Sequence, residues 1–196
     1  MQKKAIFRGF LAAQAPKGPS DGVFERSALP KVALETAFGT LIAEIDTDAA
    51  PRTAANFLRY LDAGAYEGGQ FHRVVRRDNQ PNDAIRIGVI QGGKRATAAA
   101  YRPIELERTS ITGLRHLHGT LSMARSGPDT ATDSFFICAG DQPELDFAGR
   151  RNPDGQGFAA FGRLVAGWLV LEQIQNAPAD GQTLSPPVRI VRARRV

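Results

Sequence analysis

The stretch Lys31–Tyr66, KVALETAFGTLIAEIDTDAAPRTAANFLRYLDAGAY, changes its hydrophobic period halfway along. Up to Asp46, apolar and polar residues alternate on either side of Phe38-Gly39, the pattern of two strands burying one face each and joined by a tight turn, a β-hairpin. From Pro51 onward, Ala54, Phe57, Leu58 and Leu61 recur at helical spacing. Pro51 suits a first turn and Gly64 a C-terminal stop, so a helix follows the hairpin.

Beyond that helix the chain breaks into short apolar runs separated by turn residues: QFHRVV, IRIGVIQ, GTLSMAR, SFFICA, FAAFGRLV and VRIVRAR. Only GWLVLEQIQNAP reads as a second helix, with Leu169, Leu171, Ile174 and the flanking Trp168 and Val170 available for an apolar face and Pro178 ending it. No period of about 20 to 50 residues repeats, which argues against solenoids and propellers. Many short strands and two helices predict a mainly β fold, a closed antiparallel barrel with a helix at each end, because closure removes exposed strand edges.

The chain has 196 residues and 42% hydrophobic content, the range of one domain with a full-sized core. Residues 1–30 are rich in Gly, Pro and Lys and lack a sustained period, so they are expected to form an extended or flexible arm, with the folded domain over 31–196. No apolar run approaches the roughly 18 residues that would span a membrane. Arg8 interrupts the short apolar start, which makes it a poor secretory signal and leaves the compartment open. Cys138 is the only cysteine, which excludes an internal disulfide and a cysteine-based metal site. His116 and His118 would share a face on a strand, but no third ligand lies near them in sequence, so no metal site is expected. The net charge is +5, and a basic balance can mark nucleic-acid binding. The tail VRIVRARRV nevertheless alternates apolar and basic residues, the pattern of a half-buried strand with a solvated face, so no nucleic-acid partner is expected.

FHRVV, VIQGG, GTLSMARSGPDTATDSFFIC, the Leu145-Asp146 pair and FAAFGRLVAG occur in the order and character of one family. In these motifs the chain resembles the cyclophilin-type peptidyl-prolyl cis-trans isomerases, over about Val32 to Val191. The resemblance implies an antiparallel barrel capped by two helices, with a proline-binding groove on its outer surface and no cofactor. It also implies rotation about X-Pro bonds in proline-containing peptides and in unfolded or flexible proteins, assisting folding. The expected setting is a monomer in a bacterial cytoplasm or periplasm.

Residue by residue, Arg73 matches the family's catalytic arginine, and Gln91 the glutamine that binds substrate backbone or orients the guanidinium. Phe136 and Leu145 match the apolar seat for the proline ring, and Phe158 falls where the family carries a histidine. Counted back from Gln91, Val89 stands at the methionine and Gly88 at the aromatic of that seat, with RRDNQPNDAIR inserted just before. Ala124 and Arg125 match the alanine-asparagine pair that captures the peptide backbone. Ser134 replaces a groove glutamine and Glu144 a tryptophan, so the resemblance implies a remodelled rim. Within SFFICA, alternation puts Phe135 and Phe136 on opposite faces, one free for the core and the other for the groove. These replacements also motivate a second reading, a non-catalytic proline-peptide binding or chaperone module on the same fold.

Overall fold

The structure, a computed structural model, describes residues 28–196. The expected arm therefore lies almost wholly outside the described residues.

The opening hairpin forms as its alternation requires, with β1 (Lys31–Thr36) and β2 (Gly39–Ile45) paired antiparallel. The helix that follows, α1 (Pro51–Asp62), buries Ala54, Phe57, Leu58 and Leu61. No side chain of its own caps its N-terminus. Glu107, distant in sequence, supplies the anion there: its carboxylate accepts from the Thr53 amide at 2.7 Å and the Thr53 hydroxyl at 2.6 Å.

The remaining strands are β3 (Gln70–Val75), β4 (Val89–Gly93), β5 (Thr120–Met123), β6 (Phe135–Cys138), β7 (Ala159–Ala166), β8 (Ala179–Asp180) and β9 (Thr183–Arg195). Eight of the nine described strands run in the order β1-β2-β7-β5-β6-β4-β3-β9, and β1 pairs back with β9 to close an antiparallel barrel. The two-residue β8 adds only a short ribbon to β9.

A second long helix, α3 (Trp168–Gln175), lies where expected and buries Val170, Leu171 and Ile174. Leu169 was expected on its apolar face but is 73% exposed. The helix also stops at Asn176 before reaching Pro178. A third helix, the single turn α2 (Thr109–Thr112), was not anticipated, since four residues carry no readable period.

The interior is aromatic. Phe57, Tyr60, Tyr66, Phe71, Phe135 and Phe161 are fully buried there, packed on the aliphatic residues of β1, β2 and α3. The basic tail is the half-buried strand its alternation suggests: Val188, Ile190 and Ala193 of β9 are buried and the intervening arginines face water. The two arginines after Ala193, Arg194 and Arg195, pair with Glu35 and Asp62.

Candidate functional site

A second, smaller apolar cluster lies on the outside of the barrel wall: Val75, Ile87, Val89, Phe136, Cys138 and Leu145, with Ala124 and Phe158 against it. It floors a pocket of about 230 Å³ lined by Arg73, Ile87, Val89, Gln91, Ala124, Arg125, Phe136, Leu145, Arg151, Asn152 and Phe158. Arg73, Val89, Gln91, Ala124, Arg125, Phe136, Leu145 and Phe158, eight of the residues that the sequence places in the site, meet in this one depression, while Gly88, Ser134 and Glu144 do not line it.

Strict alternation would send Arg73 inward on the same face as Phe71, which is in the core. The strand avoids this with a bulge. Phe71 faces Gly92 and Arg73 faces Gln91, so His72 is an extra residue in β3 and the register shifts between them. One additional residue rotates the following side chains by half a period, turning Arg73 out to the pocket while Val74 drops into the core.

Arg73, Gln91 and Phe136 then lie side by side across β3, β4 and β6, with Ser122 of β5 next in the row. The guanidinium is held from two sides. Its Nη1 donates to Gln91 Oε1 at 2.9 Å, and its Nε and Nη2 donate to Gln182 Oε1 at 3.0 and 2.5 Å. Gln91 in turn donates to Ser134 Oγ at 3.2 Å, and that hydroxyl donates to the Gly92 carbonyl at 3.1 Å. Both acceptors on Arg73 are neutral amides, which fix its direction and leave its charge uncompensated. Burial lowers its pKa from the ordinary arginine value, the positive charge of Arg151 adds to this, and Asp83 acts in the opposite sense. An arginine starts so high that it remains charged at neutral pH.

Phe136 meets Phe158 edge to face at 5.3 Å. On its other side the ring of His116 stacks at 6.0 Å. His116 is buried in a loop, not on the strand considered from its spacing to His118. Its Nδ1 lies 2.7 Å from Asp146 Oδ1 and its Nε2 2.9 Å from Ser122 Oγ. Asp146 and Ser122 thus fix the ring through both of its nitrogens. Leu145 and Phe158 are brought together by a backbone bond from the Phe158 amide to the Leu145 carbonyl, at 2.9 Å. That closure depends on Gly157, which has φ +65° and approaches the Asp146 backbone so closely that a Cβ would come within 2.5 Å of it. Burial pushes the Cys138 thiol up, so it packs under the floor as a neutral apolar group.

Arg125 is a wall of the pocket. Its guanidinium stacks 5.1 Å from the Phe158 ring centre, donates to the Gly157 carbonyl at 2.8 Å and grips both carboxylate oxygens of Asp154 at 2.7 and 2.9 Å.

Two expectations are corrected. Gly88 does not occupy the aromatic position of the seat: a Cβ there would lie 2.6 Å from the Ala139 carbonyl oxygen, so the position faces a neighbouring backbone. Ile87 lines the pocket instead, on the same alternating face as Val89 and Gln91. Glu144 does not remodel the pocket rim either. It lines a separate depression with Thr109, Arg115 and Phe147. There Arg150 holds its carboxylate below the usual range through a 2.7 Å ion pair and a backbone hydrogen bond.

Ile87, Arg151, Asn152 and Gln182 complete the site and were not anticipated. Alternation from Val89 points to Ile87. Nothing local points to Gln182, which lies 109 residues from the arginine it holds.

Residues 31–195 match the sequence profile of the cyclophilin type peptidyl-prolyl cis-trans isomerase/CLD family, and the chain belongs to that family. A peptidyl-prolyl cis-trans isomerase of Acinetobacter baylyi is 36% identical over 150 residues, 76% of this chain and 73% of that protein. Peptidyl-prolyl cis-trans isomerase B of Escherichia coli is 34% identical over 146 residues, 74% of this chain and 84% of that protein. Among solved structures, a cyclophilin-type isomerase of Cryptosporidium parvum superposes with a TM-score of 0.69 at 23% identity, covering 86% of this chain and 98% of that one. The same parasite protein, solved in the presence of the dipeptide Ala-Pro, superposes with a TM-score of 0.67. These likenesses bear out the closed barrel read from the sequence.

Proposed function

We propose that this peptidyl-prolyl isomerase turns X-Pro bonds of unfolded or flexible chains in the pocket centred on Arg73, assisting their folding. The observation that carries this reading is a charged guanidinium held by two neutral amides at the edge of an apolar seat the size of a small ring. Rotation about a peptide bond must break conjugation, a barrier of roughly 18–20 kcal/mol, and unaided X-Pro exchange takes tens to hundreds of seconds. In the twisted state the proline nitrogen regains its lone pair. A donor already aimed at that nitrogen binds the twisted state better than either planar isomer, and this differential binding lowers the barrier.

In this scheme Phe136, Leu145, Phe158, Ile87 and Val89 hold the ring, and Arg73 supplies the donor. Gln91 and Gln182 keep it oriented before substrate arrives, and the backbone at Ala124 and Arg125 receives the extended peptide. The step is a rotation, so it requires neither a covalent intermediate nor a change in protonation.

The test is exchange spectroscopy on a short X-Pro peptide. Losing one preorganised donor costs on the order of 2.7–4 kcal/mol, so Arg73→Ala should lower kcat/KM about a hundredfold or more while the thermal midpoint stays put. Arg73→Lys keeps the charge but loses the planar fork, and should recover only a small part. An alanine variant that is folded and works at the parent rate overturns the assignment. If the parent protein binds the peptide without accelerating exchange, the binding-module reading replaces this one.

A further inference from the structure

Among the described residues, the pocket is lined by three arginines, Arg73, Arg125 and Arg151, and by no carboxylate. The nearby acids, Asp83 and Asp154, do not line it and are already engaged, Asp83 with Arg151 at 3.0 Å and Asp154 with Arg125 at 2.7 Å. Glu144, the one acid that the sequence suggested for the rim, is turned into a separate depression and tied to Arg150. The pocket is therefore electropositive, and the sign of its charge preference follows.

The three guanidiniums differ in what they have left to give. Every nitrogen of Arg125 is committed, Nε to the Gly157 carbonyl and both Nη atoms to Asp154. Arg73 is committed to Gln91 and Gln182, and its unpaired charge is the group assigned to the proline nitrogen. Arg151 uses only Nη1, which donates to the Ile85 carbonyl at 2.7 Å and pairs with Asp83. Among the described residues its Nε and Nη2 have no partner. These two nitrogens form one edge of the planar fork, the edge that fits a carboxylate through two parallel hydrogen bonds. The Arg151 side chain is only 15% exposed and is anchored at its other edge, so this donor pair is already ordered.

We infer that Arg151 is a specificity-determining residue that selects substrates carrying an acidic side chain next to the proline. The inference rests on the isomerase reading of the same pocket. A carboxylate beside the proline would meet the free edge of Arg151 without displacing Asp83. A lysine there would meet the unpaired charge of Arg73 and the donor edge of Arg151, with no acceptor for its own charge on the pocket lining.

The experiment measures kcat/KM at low salt for two peptide sets, with Glu, Gln or Lys immediately before the proline in one and immediately after it in the other. In at least one set the Glu peptide should exceed the Gln peptide by roughly fivefold, the scale of one partly exposed ion pair, and the Lys peptide should fall below both. At about 1 M salt, where the screening length falls to about 3 Å, the gap should close. Arg151→Gln should erase the gap at low salt. Arg150→Gln, the same change in net charge outside the pocket, should preserve it. Asp83→Asn releases the Arg151 charge from its competitor and should widen the gap, a readout independent of whether Arg151→Gln folds well.

Equal efficiency for Glu, Gln and Lys peptides in both sets overturns the inference, and so does a gap that survives in a folded Arg151→Gln protein. No isomerisation of any peptide would instead remove the isomerase reading itself.

Discussion

Phe135 and Phe136 are adjacent in sequence and sit in opposite worlds. Phe135 points into the barrel and meets Phe57, Tyr66 and Phe71 edge to face at 5.4, 5.4 and 5.8 Å, within the main hydrophobic core. Phe136 points outward and meets one aromatic, Phe158, and one polar ring, His116, beneath a pocket walled by arginines. The inner face is filled to exclusion, while the outer face is packed only far enough to leave an apolar seat open. On the proposed function, one strand thus serves stability on one side and recognition on the other, and the two should separate under substitution.

The largest effect expected is on the inside. Phe135→Ala would leave a sealed void and should cost about 3–5 kcal/mol of stability, the usual range for a buried Phe→Ala change. Phe136→Ala opens into an existing pocket that water can enter, so part of the cavity penalty is absent, and its cost should be smaller by about 1–2 kcal/mol. Its activity should nevertheless fall at least as far as that of any other residue of the seat. Urea denaturation beside peptide exchange separates the two variants, and equal stability losses would break the contrast between the faces.

A smaller effect is expected at Gln182, which belongs to the outer face alone. Gln182→Ala removes the acceptor for two of the three hydrogen bonds that hold Arg73. A hydrogen bond to a charged group is worth about 1.5–3 kcal/mol, and Gln91 retains part of the orientation, so kcat should fall about tenfold. KM and the thermal midpoint should hardly move. Gln182→Glu keeps the acceptor but neutralises the guanidinium by pairing, so it should be folded, at least as stable as the parent, and slower. A purely structural role for Gln182 would lower the midpoint and leave kcat alone.

The same contrast explains what was legible in the sequence. The hairpin, α1, α3 and the inner face follow from period, because a continuous core imposes one pattern on many residues at once. The opposed phenylalanines are read from the same rule. The outer site is legible where it lies on regular strand, as at Gln91 and Phe136, and Ile87 could have been found by counting in twos from Val89. Counting by adjacent positions chose Gly88 instead, a residue pressed against the Ala139 backbone. Arg73 defeats the pattern altogether, since an ordinary strand would bury it beside Phe71. Only its motif pointed to the pocket, and the bulge at His72 is the physical reason that it arrives there. Arg151, Asn152 and Gln182 come from loops whose approach depends on barrel closure, for which no local pattern exists. Glu144 failed in the opposite way: its position beside Leu145 is right, but Arg150, six residues on, draws its carboxylate away from the pocket.

The smallest effect belongs to the clasp between the pocket wall and solvent. The Arg125 guanidinium, with help from the Gln156 amide, holds the Asp154 carboxyl down at about 2, below its ordinary 3.8. A carboxyl with a depressed folded-state pKa favours the folded protein in its ionised form. The contribution is fully present above about pH 4 and is lost as pH falls through about 2. Asp154 is 30% exposed, so solvent screens the pair and its worth should stay below about 1 kcal/mol. Other carboxylates titrate over the same range, and Asp154→Asn serves to subtract them. Urea denaturation at pH 5 and pH 2 should show the parent losing slightly more stability than Asp154→Asn. At pH 7 the same variant should release Arg125 from one partner, loosen the wall over Phe158 and raise KM modestly with kcat preserved. Identical acid losses in the two proteins, together with an unchanged KM, would mean that the clasp contributes to neither face of the wall.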